Sequence, residues 1–260
     1  VTGIDLTIEP GQTLCLVGES GSGKSVIAQA IMGMLPPALP MTSGEIALQG
    51  PPNPPQRASA YHRLRGPKVA MVFQDAISSL DPIQRVGRQL EEILEVHGVP
   101  KSERRARVMD MLAAVLLPDP DRAYRSYPHE MSGGQAQRIV IAGALLLNPA
   151  LLIADEPTTA LDVTTQAEIL ELIEKLKVEF DTSVLFITHD FGVVADIADH
   201  VVVMKDGIAV ESGTAPSVLQ DPQHDYTKRL LAAAALAPAR DQAADGAAIF
   251  QVRDLSLTYR

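Results

Sequence analysis

The residues with the clearest chemistry are Gly18-Glu19-Ser20-Gly21-Ser22-Gly23-Lys24-Ser25, which fit the pattern G-x-x-x-x-G-K-[ST]. Glycines at this spacing let the backbone turn so that successive N–H groups face one point, a cradle for an anion. A helix that starts inside the loop adds partial positive charge at the same point. A lysine there reaches the outer phosphates of a nucleoside triphosphate, and the hydroxyl after it ligates Mg²⁺. Gly18, Ser20, Gly21, Ser22, Gly23, Lys24 and Ser25 are therefore candidate nucleotide-binding residues, with Ser25 also a candidate metal ligand.

Asp155 and Glu156 close the apolar run Leu151-Leu152-Ile153-Ala154. By itself such a run ending in two acids reads as a solvated strand end. Beside a phosphate loop it reads as a magnesium-holding aspartate followed by a carboxylate able to polarise a water as general base.

These side chains need a scaffold. Leu14 to Val17 is a continuous apolar run, the pattern of a strand buried on both faces. A helix is predicted over Lys24 to Met34, ended by Pro36, Pro37 and Pro40. Val1 to Ile8 and Gly44 to Leu48 read as strands, the latter at an edge, and the proline run 51–55 as an exposed loop. Val69 to Phe73 is another strand. Residues 77 to 147 turn helical, with amphipathic stretches at Val86 to His97 and Glu103 to Leu117. Strand and helix then alternate: 151–154, 165–178, 184–188 and 191–198. A hairpin follows around Asp206-Gly207, and the last helix spans 225–235. Alternation of this kind implies a mostly parallel sheet. The expected class is α/β, a P-loop NTPase with a mostly parallel core sheet, an antiparallel β subdomain and an inserted α-helical subdomain.

Composition narrows the partners. Apolar residues make up 46% of the 260, enough for a sizeable core, and the net charge is −10. That acidity argues against a nucleic-acid binder that works through a wide basic surface. The single cysteine, Cys15, cannot form an internal disulfide and reads as a buried strand residue. No apolar run approaches the roughly 20 residues a membrane helix needs.

Further motifs are more specific. Met131-Ser132-Gly133-Gly134-Gln135 resembles the signature of ATP-binding cassette (ABC) proteins, and Val72-Phe73-Gln74-Asp75 resembles their Q-loop. Pro157-Thr158-Thr159-Ala160-Leu161-Asp162 resembles the D-loop, and Ile187-Thr188-His189-Asp190 the switch histidine. They stand in the family's order over nearly the whole chain. The subfamily resembled is that of the dipeptide, oligopeptide and nickel importer ATPases. The carriers are Phe73 to Pro82, Tyr127-Pro128-His129-Glu130 and Asp225-Tyr226-Thr227-Lys228-Arg229-Leu230-Leu231.

The resemblance implies a head-to-tail dimer of cassettes with two ATPs buried between them. Ser132, Gly133, Gly134 and Gln135 would meet the nucleotide bound by the other cassette, and Asp162 belongs to the same set. Gln74 would touch Mg²⁺ and the attacking water, adding a metal ligand to Ser25 and Asp155. Glu156, His189 and Gln74 are the implied catalytic residues, although a lone histidine after a strand is more often a polar strand end. The implied activity is ATP hydrolysis that powers a membrane transporter, most naturally uptake of peptides or similar small solutes. The implied partners are permease subunits, a second cassette and, indirectly, a periplasmic substrate-binding protein. The implied place is the cytoplasmic face of the inner membrane, as a peripheral subunit. The alternative is a soluble ABC ATPase of DNA repair or translation, which the short cysteine-free stretch between Gln74 and Ser132 disfavours.

The chain departs from the family pattern at three points. Ala136 stands where an arginine is common. Gly143 lies inside a predicted helix, at about 1 kcal/mol against alanine. Nothing between Val1 and Val17 is aromatic, whereas the family stacks adenine on an aromatic residue upstream of the phosphate loop. The expected organisation is a nucleotide-binding domain over 1–235, a linker over 236–248 and the opening strand of a second cassette over 249–260, with Tyr259 a candidate adenine platform.

Overall fold

The computed structural model describes residues 1–48, 64–159 and 161–235. The proline run 51–55, Ala160, the linker 236–248 and the segment 249–260 with Tyr259 lie outside the described residues.

A single six-stranded sheet carries the site. Its strands are β1 (Thr13–Val17), β2 (Val69–Val72), β3 (Leu151–Asp155), β4 (Ser183–Thr188), β5 (His200–Lys205) and β6 (Ile208–Thr214). The order across the sheet is β2-β3-β4-β1-β5-β6. All pairs are parallel except the hairpin β5–β6. β1 is buried along its whole length, as its unbroken apolar run requires. Cys15 is fully buried there, and burial pushes its thiol far above the ordinary value. Two apolar clusters cover the faces of the sheet. One contains Leu16, Ile27, Ile153 and Ile187, and the other Val17, Ala154, Phe186 and Ile139.

Helix α1 (Lys24–Ile31) follows β1, and the helical lobe lies between β2 and β3. Its helices are α2 (Ala76–Ser79), α3 (Val86–Val96), α4 (Lys101–Ala114), α5 (Pro120–Arg125) and α6 (Gly133–Leu145), with a 3₁₀ turn at Pro128–Glu130. Helix α6 joins the lobe to the sheet: it packs on β2 and on α7 (Val163–Glu179), which follows β3. Arg138 of α6 pairs with Glu168 of α7 at 2.9 Å and donates to the Val115 carbonyl at 3.0 Å. Gly143 has a packing reason. A Cβ there would stand 3.2 Å from Leu90 and 3.3 Å from Ile93 on α3, a tight contact that those side-chain tips would have to yield to. Ala136 is fully buried, so its position faces the core of the lobe.

The remaining helices are α8 (Phe191–Ile197), α9 (Ala215–Gln220) and α10 (Asp225–Ala235). Two expected strands do not form. Residues 1–8 have no strand structure; Ile4, Leu6 and Ile8 pack on the core, and Thr2 N–H donates to the Gly207 carbonyl at 3.1 Å. Over 44–48 only Ile46 holds a bridge position. Alternating apolar residues bury one face of a segment, but a strand also needs a neighbour for its backbone groups. The antiparallel part of the structure is, among the described residues, the β5–β6 hairpin.

Candidate functional site

β1 delivers the chain into a loop whose shape only glycine allows. Gly18, Gly21 and Gly23 have φ of 153°, 83° and 101°. A Cβ on Gly18 would stand 2.3 Å from the Met204 carbonyl oxygen, so the loop lies against the end of β5 with no room for a side chain. Gly23 is the N-cap of α1, which aims that helix terminus at the loop's interior. Ser22 is buried, its carbonyl accepting from Gly207 N–H at 3.1 Å.

Lys24 is 5% exposed. Its ammonium donates to the carbonyls of Gly18 at 2.8 Å and Glu19 at 2.9 Å. Burial pulls its pKa below the ordinary lysine value, while Glu156 and Asp155 pull it back up. A phosphate would relieve the burial penalty and compete for the same donors, so the lysine fits an anion.

Ser25 Oγ donates to Asp155 Oδ1 at 3.3 Å. Burial holds the Asp155 carboxyl above its usual range, opposed by the Ser25 hydroxyl and Lys24. Two hard oxygens facing one space suit a magnesium ion. Among the described residues no group of three or more His, Cys, Asp or Glu could hold a metal. A cation at Ser25 and Asp155 would thus complete its shell from phosphate and water, which is the habit of magnesium rather than of an all-protein cage.

Glu156 is the hub of the site. It adopts a left-handed backbone conformation, φ 48°, rare for a side chain of this size. Its N–H donates to the Ile187 carbonyl at 2.9 Å, which locks the turn at the mouth of the sheet. Three side chains converge on its carboxylate. Gln74 Nε2 donates to Oε2 at 3.1 Å, Thr159 Oγ1 donates to Oε2 at 3.0 Å, and His189 Nδ1 lies 3.2 Å from Oε1. With Nδ1 protonated, His189 turns Nε2 away from Glu156. These groups and the loop enclose an open cleft of about 680 Å³.

Of the residues expected from sequence, Gly18, Ser20, Gly21, Gly23, Lys24, Ser25, Gln74, Glu156 and His189 line this cleft. Ser22 and Asp155 stand directly behind it. The signature is elsewhere. Ser132 caps α6, its Oγ accepting from Gln135 N–H at 3.3 Å, while Gln135 Oε1 accepts from Ser132 N–H at 3.1 Å. Asp162 caps α7, accepting from Thr165 N–H at 3.0 Å and Thr165 Oγ1 at 2.8 Å, and these bonds hold its carboxyl below the ordinary range. The two caps are neighbours. Gly133 faces Leu161, and a Cβ on Gly134 would be 2.7 Å from the Thr165 methyl. Thus Ser132, Gly133, Gly134, Gln135 and Asp162 form a second cluster that does not line the cleft of their own chain.

A family model described as ABC transporter matches residues 1–159, more than half of the chain. The chain belongs to the ABC transporter family. This ABC protein is 48% identical over 234 residues to the oligopeptide transport ATP-binding protein OppD of Bacillus subtilis, covering 89% of this chain and 65% of that protein. It is 48% identical over 232 residues to the peptidoglycan transport ATP-binding protein YejF of Agrobacterium fabrum, covering 88% of this chain and 42% of that one. With the dipeptide transport ATP-binding protein DppD of Bacillus subtilis the identity is 47%, over 89% of this chain and 70% of that protein. The chain therefore spans less than two thirds of the length of the first two relatives. Among solved structures, cbiO1 of Clostridium perfringens, part of the ABC transporter complex cbiONQ, superposes with a TM-score of 0.75 at 29% identity, covering 85% of this chain and 84% of that one. A dimeric ATP-binding cassette in a post-hydrolysis state with ADP and phosphate gives a TM-score of 0.71 at 29% identity, over 83% of this chain and 90% of that one.

In this ABC cassette, sequence reasoning missed several contributors to the site. Thr159 bonds the Glu156 carboxylate, Tyr226 receives the Glu19 N–H at 3.3 Å, and Leu230 lines the cleft. Thr159 sits in the D-loop segment and was within reach of motif reasoning. Tyr226 and Leu230 lie far along the chain, and only the fold brings them to the loop.

Proposed function

We propose that this chain is the ATP-binding and ATP-hydrolysing subunit that powers a membrane transporter, and that the cargo taken up is a peptide or a similar small solute. One observation carries the reading: the phosphate loop, the Ser25–Asp155 oxygen pair and the Gln74–Glu156–His189 group converge on one cleft. Loop amides, the α1 terminus and Lys24 bind and orient the phosphates. Ser25, Asp155 and Gln74 hold magnesium, which when bound neutralises charge on the phosphoryl oxygens. Glu156 accepts the proton of the attacking water as general base, and His189 and Gln74 fix the direction of its carboxylate. The names of the relatives, which include peptide transport and peptide import, support peptide uptake over the soluble alternative of DNA repair or translation.

The second cluster supports a head-to-tail pair of cassettes, in which Ser132, Gly133, Gly134, Gln135 and Asp162 face the nucleotide of the other cassette. The permease is the natural partner for the exposed apolar side chains beside Gln74, namely Phe73, Ile77 and Ile83. No helix among the described residues is long and apolar enough to cross a membrane. The place of action is the cytoplasmic face of the inner membrane, with a periplasmic substrate-binding protein acting indirectly through the permease.

Lys24→Ala tests the reading. Phosphate release by the assembled transporter is expected to fall to background in Mg-ATP, because the charge on the transferred group loses its counterion. An unchanged rate would overturn the assignment.

A further inference from the structure

The segment Asp225 to Leu231 marks the chain's resemblance to the peptide importers, yet nothing in the chemistry above uses it. Its place in the fold does. Helix α10 lies against the phosphate loop: Leu230 lines the cleft, and Tyr226, one turn earlier, is 4% exposed behind Glu19. The Tyr226 phenol oxygen accepts the Glu19 N–H at 3.3 Å, from a residue 207 positions away in sequence. The ring is fixed on its other side by Lys205, whose ammonium stands 5.2 Å from the ring centroid. Lys205 directly follows Met204, whose carbonyl forms the wall behind Gly18.

The start of α10 is itself anchored. Glu211 of β6 accepts the N–H groups of Gln223 at 2.7 Å and His224 at 3.2 Å, and His224 Nδ1 accepts from Tyr226 N–H at 3.1 Å. The phenol is thus presented from a built platform rather than from a loose C-terminal segment.

We propose that Tyr226 is a positioning residue of the phosphate loop, fixing the first turn of the loop through the Glu19 peptide. The inference rests on the reading of that loop as an ATP site. Its logic lies in a competition. Glu19 is held on both sides, its carbonyl by Lys24 and its N–H by Tyr226. A phosphate draws on the Lys24 ammonium, and the carbonyl clamp weakens. The Tyr226 bond does not involve the Lys24 ammonium, so it is the clamp that persists when a phosphate engages that ammonium. Loss of the phenol oxygen therefore acts mainly on the loaded loop.

Tyr226→Phe removes one oxygen and keeps the ring. In the full chain, titration with Mg-ATP well below the thermal midpoint is expected to give about a three- to tenfold weaker affinity, the loss of one hydrogen bond. The midpoint without nucleotide is expected to stay within about 2 °C. In the assembled transporter KM for ATP rises by the same factor, and kcat stays within about twofold. An unchanged affinity and KM, whether or not the midpoint falls, would overturn the proposal and leave Tyr226 a packing residue. A parent protein that binds no Mg-ATP would instead overturn the ATP-site reading and the proposal with it. Normal binding by the parent and the Phe variant alike overturns the proposal alone.

Discussion

The phosphate loop and the signature segment both place glycines and a serine at the start of a helix, but they use them in opposite ways. In the loop, Gly18, Gly21 and Gly23 take left-handed or near-forbidden backbone angles, and Lys24 is buried with its pKa pulled down. In the signature, Ser132 and Gln135 satisfy each other in a reciprocal cap, and Gly134 is set by the neighbouring Thr165. The first region carries a buried ammonium whose desolvation a ligand would offset. The second is internally satisfied and stays stable without one. The chain thus joins a region poised for a ligand to one whose shape is fixed in advance by its own caps.

The largest effect that would sharpen this contrast is expected at Glu156. Glu156→Gln keeps the shape but removes the proton acceptor, and turnover is expected to fall by about 10²–10⁴-fold. Size-exclusion chromatography in ATP is expected to find the variant trapped as a nucleotide-bound pair of cassettes. Normal turnover would remove Glu156 from the role of base.

A middle-sized effect is expected at the seam between the two caps. Gly134→Ala drives a methyl into Thr165, whose rotation is restrained by its 2.8 Å bond to Asp162. Overpacking of this kind costs about 1–3 kcal/mol, and the ATPase rate of the assembled transporter is expected to drop at least fivefold. Thr165→Ser removes the opposing methyl and keeps the hydroxyl, so the double variant should recover most of the activity. If it recovers nothing, Gly134 is required for contact with nucleotide rather than for packing, and the signature is less self-contained than the comparison holds.

The smallest effects have opposite signs. Burial raises the Asp155 carboxyl, so its charged form weakens the fold at neutral pH. Asp155→Asn is expected to raise the nucleotide-free thermal midpoint by about 2–4 °C near pH 7.5. The gain should fade as pH falls toward about 4 and be absent below it, where the carboxyl is protonated in folded and unfolded chains alike. Ser132→Ala removes a helix cap worth about 1 kcal/mol and should lower the midpoint by a similar amount. Shifts of the same sign in the two variants would erase the distinction between a ligand-poised and a self-satisfied region.

How much of this was legible in the sequence follows from distance along the chain. Lys24, Ser25 and the loop glycines are contiguous, and β1 and α1 flank them as the motif demands. Asp155 and Glu156 could be placed because they close an apolar strand beside the phosphate loop, and Gln74 and His189 through the family motifs they stand in. Tyr226 could not, because its partner Glu19 belongs to another element and no local period encodes the pairing. Gly143 read as a helix defect, and only the fold shows that Leu90 and Ile93 of α3 pack closely against it. Val1 to Ile8 misled for the converse reason. The alternation correctly marked residues that touch the core, but alternation says nothing about whether a neighbouring strand is present to accept the backbone.

The Glu156 carboxylate also admits a simple count of valences. A carboxylate has two oxygens and about four lone-pair directions. Gln74 and Thr159 occupy both directions of Oε2, and His189 occupies one of Oε1. Among the described residues one direction stays open, on Oε1, the oxygen shared with the histidine. A water arriving at this carboxylate has a single berth, next to the imidazole, so its orientation is decided by the three residents before it arrives.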